Sequence, residues 1–206
     1  MNVIRINNYL LYSLADDRVT NVVDITGENV IIGAGTMSNA SNVIKVDIKS
    51  SLMITLDRQH QQTTKDTVRI WRRLEQNAWR QELVIDRAHV GAVTCVRIFD
   101  ENCFFTSGDD ARLRKWQRDE ENGGWQIGAS GVYRDEKITQ FDFSLDRALV
   151  TCVDEKKCTI FSTDDLSLVA VVPPLEPNAK LEKVFHGKGE AKNMLLVKHS
   201  NGFYVW

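Results

Sequence analysis

His89, Ser107 and Asp110 are the residue types of a nucleophilic triad, in which an imidazole takes the proton of a hydroxyl and a carboxylate holds the imidazole in place. Their surroundings point elsewhere. Ala88-His89 precedes the β-prone run Val93-Thr-Cys-Val-Arg-Ile98, and Ser107 closes a second run, Cys103-Phe-Phe-Thr-Ser107. Asp110 stands in the tight turn Gly108-Asp109-Asp110, ahead of a third run that ends at Trp116. In that order and strand-turn context these side chains suit a structural use, satisfying buried polar groups and fixing the turns, rather than a catalytic one. Enzymatic chemistry has no other foothold, because the chain lacks a Walker loop, a GxGxxG opening a helix, HExxH and GxSxG. Cys95, Cys103, Cys152 and Cys158 include no CxxC pair, and His60, His89, His186 and His199 add no ligand-like spacing. No metal site and no cofactor are expected, and the cysteines read as buried free thiols.

Two basic groups could touch phosphates: Arg69, Arg72, Arg73 and Arg80, and Arg112, Arg114, Lys115 and Arg118. The whole chain carries 26 basic and 28 acidic residues, a formal net charge of −2, so any RNA contact must be local. The plainer reading is solvated charge on outer strand surfaces, with Trp79 and Trp125 nearby as packing residues rather than base-stacking platforms.

The elements that position these residues repeat. Trp71, Trp116, Phe161 and Trp206 follow one another at a constant step of 45 residues, and each closes a short β-prone segment. Repeats of about 40 to 45 residues ending in tryptophan are the signature of WD40 blades, four-stranded sheets arranged around a channel. The resemblance to that repeat family implies that His89, Ser107, Asp110 and Trp116 form a hydrogen-bonded network from blade entry to third strand. The blade before Trp71 uses Val43 to Ile48, Ser51 to Thr55, a polar loop from Arg58 to Lys65, and a strand to Trp71. The blade before Phe161 uses Ile138 to Phe143, Ala148 to Cys152 and a strand to Phe161. The last uses Leu181 to Phe185, Asn193 to Val197 and a strand to Trp206. Outer strands fit at Arg80 to Ile85, Trp125 to Ala129 and Leu166 to Val172. Pro173, Pro174 and Pro177 mark a connecting loop, since proline cannot donate within a sheet.

The expected fold is thus all-β, a partial WD40-type propeller of about three to four blades. Residues 1–42 would be an incomplete N-terminal blade and residues 43–206 three to four blades of one ring. Closed propellers have about four to eight blades, so open edges are expected, and with them self-association or docking to another propeller. If an open face bares on the order of 500 Å² of apolar surface, roughly 25 cal/mol per Å² puts about 12 kcal/mol at stake. No apolar run approaches the roughly 18 residues of a membrane span, and the first residues do not resemble a secretory signal, so an intracellular, membrane-free chain is expected.

Beyond the blade pattern, Asn122-Gly-Gly-Trp-Gln-Ile-Gly-Ala-Ser-Gly-Val-Tyr-Arg134 followed by Phe141-Asp-Phe-Ser-Leu-Asp146 resembles the second propeller of the WD repeat-containing protein 75 family. Tyr12-Ser-Leu14, the insertion from Gln59 to Lys65 and Asn201-Gly-Phe-Tyr-Val-Trp206 agree with it. Members of that family are tandem-propeller subunits of the UtpA (t-UTP) module of the small-subunit processome. The resemblance therefore implies a non-catalytic scaffold in the nucleus and nucleolus that supports pre-rRNA (18S) processing and RNA polymerase I transcription. Its expected partners are other WD40 propeller subunits of a large complex and, through the basic groups, pre-rRNA. The family's chains are longer, so this sequence is expected to be a fragment, a short isoform or a truncated paralogue. A generic WD40 adaptor, serving as a ubiquitin-ligase substrate receptor or a methyltransferase cofactor, is the competing expectation.

Overall fold

Runs of β-branched and aromatic residues broken by Asp, Gly and Ser turns give antiparallel strands, and the computed structural model describes them over residues 2–6, 9–13, 21–24, 42–60, 64–74, 79–119, 121–132, 136–174, 176, 178–192 and 194–206. Among these residues the helical element is a 3-10 turn at Gly189–Ala191. Leu14, residues 61–63, Tyr133, Arg134, Pro177 and Asn193, all used in reading the sequence, lie outside the described residues, as does the side chain of Trp79.

The chain divides into two compact units, Met1–Gly91 and Ala92–Trp206. In the first, β1 (Asn2–Ile6), β2 (Tyr9–Ser13) and β3 (Asn21–Asp24) form a three-stranded meander. Next come β4 (Asn42–Lys49), β5 (Leu52–His60), β6 (Thr64–Arg73) and β7 (Trp79–Asp86), a four-stranded sheet in sequence order. The expected polar loop from Arg58 to Lys65 is instead mostly hairpin. β5 and β6 stay in register out to Arg58 opposite Asp66, Gln59 opposite Lys65 and His60 opposite Thr64. A two-pronged ion pair explains the extension: Arg58 donates Nε and Nη2 to the two oxygens of the buried Asp66 at 2.7 and 2.8 Å.

In the second unit, β8 (Val93–Asp100), β9 (Cys103–Gly108), β10 (Arg112–Arg118) and β11 (Trp125–Val132) form one four-stranded sheet. The strands β12 (Gln140–Phe143), β13 (Leu149–Val153), β14 (Cys158–Ser162) and β15 (Leu168–Val172) form the next. β16 (Leu181–His186), β17 (Leu195–His199) and β18 (Gly202–Val205) complete it as a three-stranded sheet. Because side chains alternate across a strand, each sheet offers one apolar face to its neighbour. Cys95, Phe105 and Leu113 of the β8–β11 sheet pack on Phe141, Val150, Cys152 and Phe161 of the β12–β15 sheet. The opposite face of that sheet, with Val153 and Cys158, packs on Leu181, Val184, Val197 and Tyr204. Rings of Phe99, Phe105, Phe141 and Phe143 interlock at the first junction, with centroids 5.0 to 6.4 Å apart in tilted and edge-on pairs.

The three four-stranded sheets share one irregularity. The register between third and fourth strands slips by a residue just before each periodic aromatic, between Ile70 and Trp71, Lys115 and Trp116, and Ile160 and Phe161. The extra residue is on the fourth strand each time, at Glu82, Gly128 and Val169, and a bulge there bends that strand and sharpens the local twist beside the aromatic.

Candidate interaction surfaces

Each periodic aromatic faces the second strand in a fixed register. Trp71 stands opposite Met53, Trp116 opposite Phe104 and Phe161 opposite Val150. Two residues further along the second strand, on the same face, come Thr55, Thr106 and Cys152 respectively. The indole of Trp71 donates to Thr55 Oγ1 at 3.2 Å, and that of Trp116 to Thr106 Oγ1 at 2.9 Å, both in buried surroundings. Phe161 has no N–H to satisfy, and the hydroxyl is replaced there by the thiol of Cys152. Trp206, beyond β18, exchanges backbone bonds with Leu195, meets Tyr204 edge-on at 6.5 Å and is 37% exposed.

The residues expected to form the polar network are placed as follows. Trp116 reaches Thr106, not Ser107, because alternation turns Ser107 to the opposite face, where its hydroxyl lies 2.9 Å from that of Thr94. Asp110 accepts from the Arg112 N–H at 3.3 Å and pairs with Arg114 Nη2 at 3.0 Å, with both side chains largely enclosed. His89 is buried in the first unit. Sequence reasoning passed over Thr106, although counting residues in twos from Phe104 would have found it.

Strand alternation also disperses the basic groups. Lys115 lies on the other face from Arg112 and Arg114; it is buried and donates to the Asp164 carbonyl at 2.9 Å. Arg69 donates to Gln81 at 2.8 Å, while Arg72 pairs with Glu82 at 3.2 Å and reaches the Ser51 hydroxyl at 3.3 Å. Arg73 and Arg118 are half-buried, leaving Arg80 and Arg112 as the exposed members. Trp125 packs against Phe104 with centroids 5.1 Å apart, and Phe104 in turn stacks on Trp116. Just ahead of Trp125, Gly123 takes a left-handed φ of 67° in a turn closed by Asp119, which accepts from the backbone of Glu121 and Asn122 and from the Asn122 amide.

The junction of the last two sheets is joined by polar side chains that sequence patterning did not reveal. Gln140 Oε1 accepts the Val184 N–H at 2.7 Å, Asp142 Oδ2 accepts the His186 N–H at 3.0 Å, and Thr139 Oγ1 reaches the Glu182 carbonyl at 3.4 Å. Side chains of β12, and of Thr139 just before it, thus take up backbone groups of β16 that face away from β17. His186 in turn places Nε2 2.8 Å from the Thr151 hydroxyl, and burial lowers its pKa against the opposing pull of Asp142 and Asp146. The outward face of the β16–β18 sheet carries Phe185, Phe203 and Val205, exposed by 37%, 59% and 62%.

All four cysteines are free and buried. Burial pushes the Cys103 and Cys158 thiols up to about 12 and that of Cys152 well above its ordinary value, which keeps them protonated. Among the described residues no three His, Cys, Asp or Glu side chains come together in a way that could hold a metal ion.

A family model described as the WD repeat-containing protein 75 second beta-propeller matches residues 6–206. The C-terminal WD40 domain of Sif2, a crystal structure, superposes with a TM-score of 0.66 at 11% identity, over 98% of this chain and 52% of that one. The likeness shows the fold, and this chain spans about half the length of that domain's chain. The 391 solved chains that match show how widely the fold is shared, so it cannot by itself name a function. No curated protein matches.

Proposed function

This chain belongs to the WD repeat-containing protein 75 second-propeller family, and from that premise we propose that it works in ribosome biogenesis, within the protein that carries it, as a non-catalytic scaffold of the small-subunit processome. The coarser part is plain: it is a WD40-type β-propeller scaffold. The finer part is support of pre-rRNA (18S) processing and RNA polymerase I transcription in the nucleolus. The family match over residues 6–206 carries it. A structural rather than catalytic use of the triad-like residues is supported by Ser107, fully buried against Thr94, and by Asp110, paired with Arg114. His89, buried in the first unit, is read as a structural residue as well.

Partners are other propeller subunits. The apolar outward face of β16–β18 supports contact with further β-structure, in self-association or with another subunit, because a sheet face of this kind is normally covered. Pre-rRNA contact falls to Arg80 and Arg112, with the other basic side chains serving mainly in the fold.

Affinity purification of the full-length protein, with RNA crosslinking, tests the reading. Pre-rRNA and nucleolar propeller subunits should co-purify, and depletion should lower 18S rRNA while sparing 28S. Recovery of cullin or methyltransferase subunits without pre-rRNA would replace this reading with that of a general adaptor.

A further inference from the structure

The β12–β13 turn and the β16–β17 connection flank a groove of about 620 Å³, within the roughly 300 to 1,000 Å³ usual for binding sites. Leu149, Ile160 and Leu195 line it, while Leu145 and Met194 stand about half exposed, at 52% and 50%. The chain closes tightly on itself beside Met194. Gly187 donates its N–H to the Met194 carbonyl at 2.9 Å and passes so near Ala191 that a Cβ on Gly187 would fall 1.9 Å from the Ala191 carbonyl oxygen. The Met194 lip is therefore preformed.

The other lip carries a fixed charge. Asp146 Oδ1 accepts the Ser144 hydroxyl at 2.6 Å and the Ala148 N–H at 3.1 Å, and these bonds hold its exposed carboxyl below the usual carboxylate range. Lys192 also lines the groove, but on a long and exposed side chain. The His186 ring also lines the groove, with Nε2 engaged 2.8 Å from the Thr151 hydroxyl, but among the described residues no Phe, Tyr or Trp stands there to stack a base, and the pinned charge is negative, which disfavours nucleic acid.

We propose that this groove docks a short segment of a partner protein, with an apolar side chain of leucine or methionine size over Leu149 and Ile160 and a basic residue against Asp146. Apolar filling supplies the anchor, and the pinned carboxylate selects the flanking charge. This inference goes beyond the proposed role in ribosome biogenesis and does not rest on it.

Methyl NMR on the 206-residue chain, titrated with N-acetyl-leucyl-arginine amide, tests it. Shifts should concentrate at Ile160, Leu149, Leu145, Leu195 and Met194. Asp146→Asn, whose amide oxygen can keep the Ser144 and Ala148 bonds, should weaken the probe about two- to fivefold, the range of an exposed ion pair. Met194→Ser should weaken it too, with the melting temperature held as the control for folding. Absent or scattered shifts, an unchanged affinity in both variants, or equal binding of N-acetyl-leucyl-glutamate amide would overturn the proposal.

Discussion

The indole N–H of Trp116 lies 2.9 Å from Thr106 Oγ1, two residues along the second strand from the Phe104 that opposes the indole in register. Trp71 and Thr55 repeat the arrangement one blade earlier at 3.2 Å, and Phe161 with Cys152 shows the same positions with the hydrogen bond removed from both sides. A donor and its acceptor have been kept together or lost together, as expected where an unpaired buried group costs more than the bond contributes.

Thr106→Val should therefore destabilise the chain by about 1 to 3 kcal/mol, the cost of an orphaned buried donor. Adding Trp116→Phe should cost less than the sum of the two single changes, because the second change removes the orphan. A double-mutant cycle by chemical denaturation reads this coupling, and strict additivity would show that the bond contributes nothing.

The 45-residue period made the blades legible in the sequence, because every third strand must present its aromatic in the same place. Face assignment was legible only in part. Ser107 and Thr106 are adjacent and chemically alike, and the strand's twofold alternation alone separates them. The bonds from Gln140 and Asp142 to β16 join residues 44 apart in sequence, so no local pattern could announce them. The hairpin through Arg58 and Asp66 was hidden because its polar residues read as loop, although the ion pair makes them a sheet.

Asp110→Ala should cost about 1 to 3 kcal/mol, since it leaves the enclosed guanidinium of Arg114 without its carboxylate. Replacing both by a neutral pair should recover part of the loss. Thermal melts of the unaltered chain and the two variants give the comparison, and an unchanged melting temperature for Asp110→Ala would remove the pair from the account of stability.

His186 gives stability a pH dependence. Burial lowers its folded pKa below the ordinary imidazole value of about 6.5, so the unfolded chain binds the proton more readily. Its contribution is present above pH 6.5 and is lost as pH falls from there through the folded pKa. Measured denaturation midpoints should decline across that window, and His186→Gln should flatten the decline while leaving the lower-pH loss from the carboxylates.

Cys103, Cys152 and Cys158 should resist iodoacetamide at pH 8 while the fold is intact, because burial raises all three thiols and keeps them protonated. Labelling followed by mass spectrometry should track unfolding by denaturant. Rapid modification of the native chain at any of the three would contradict the packing described for it.

The junction between the last two sheets offers the most direct test of how neighbouring blades hold together. Gln140 is almost fully buried, and its amide oxygen accepts the N–H of the fully buried Val184 at 2.7 Å. Leucine at position 140 would keep the approximate volume and remove the acceptor, leaving a buried backbone donor without a partner. Gln140→Leu should therefore cost about 1 to 3 kcal/mol, with the loss concentrated in the β16–β18 sheet rather than spread through the chain. Hydrogen exchange resolves the location: the amides of Val184 and His186 should lose protection first, while those of β9 and β10 keep theirs. Equal loss across all sheets would mean that the blades unfold as one unit and that Gln140 is no specific fastening between them.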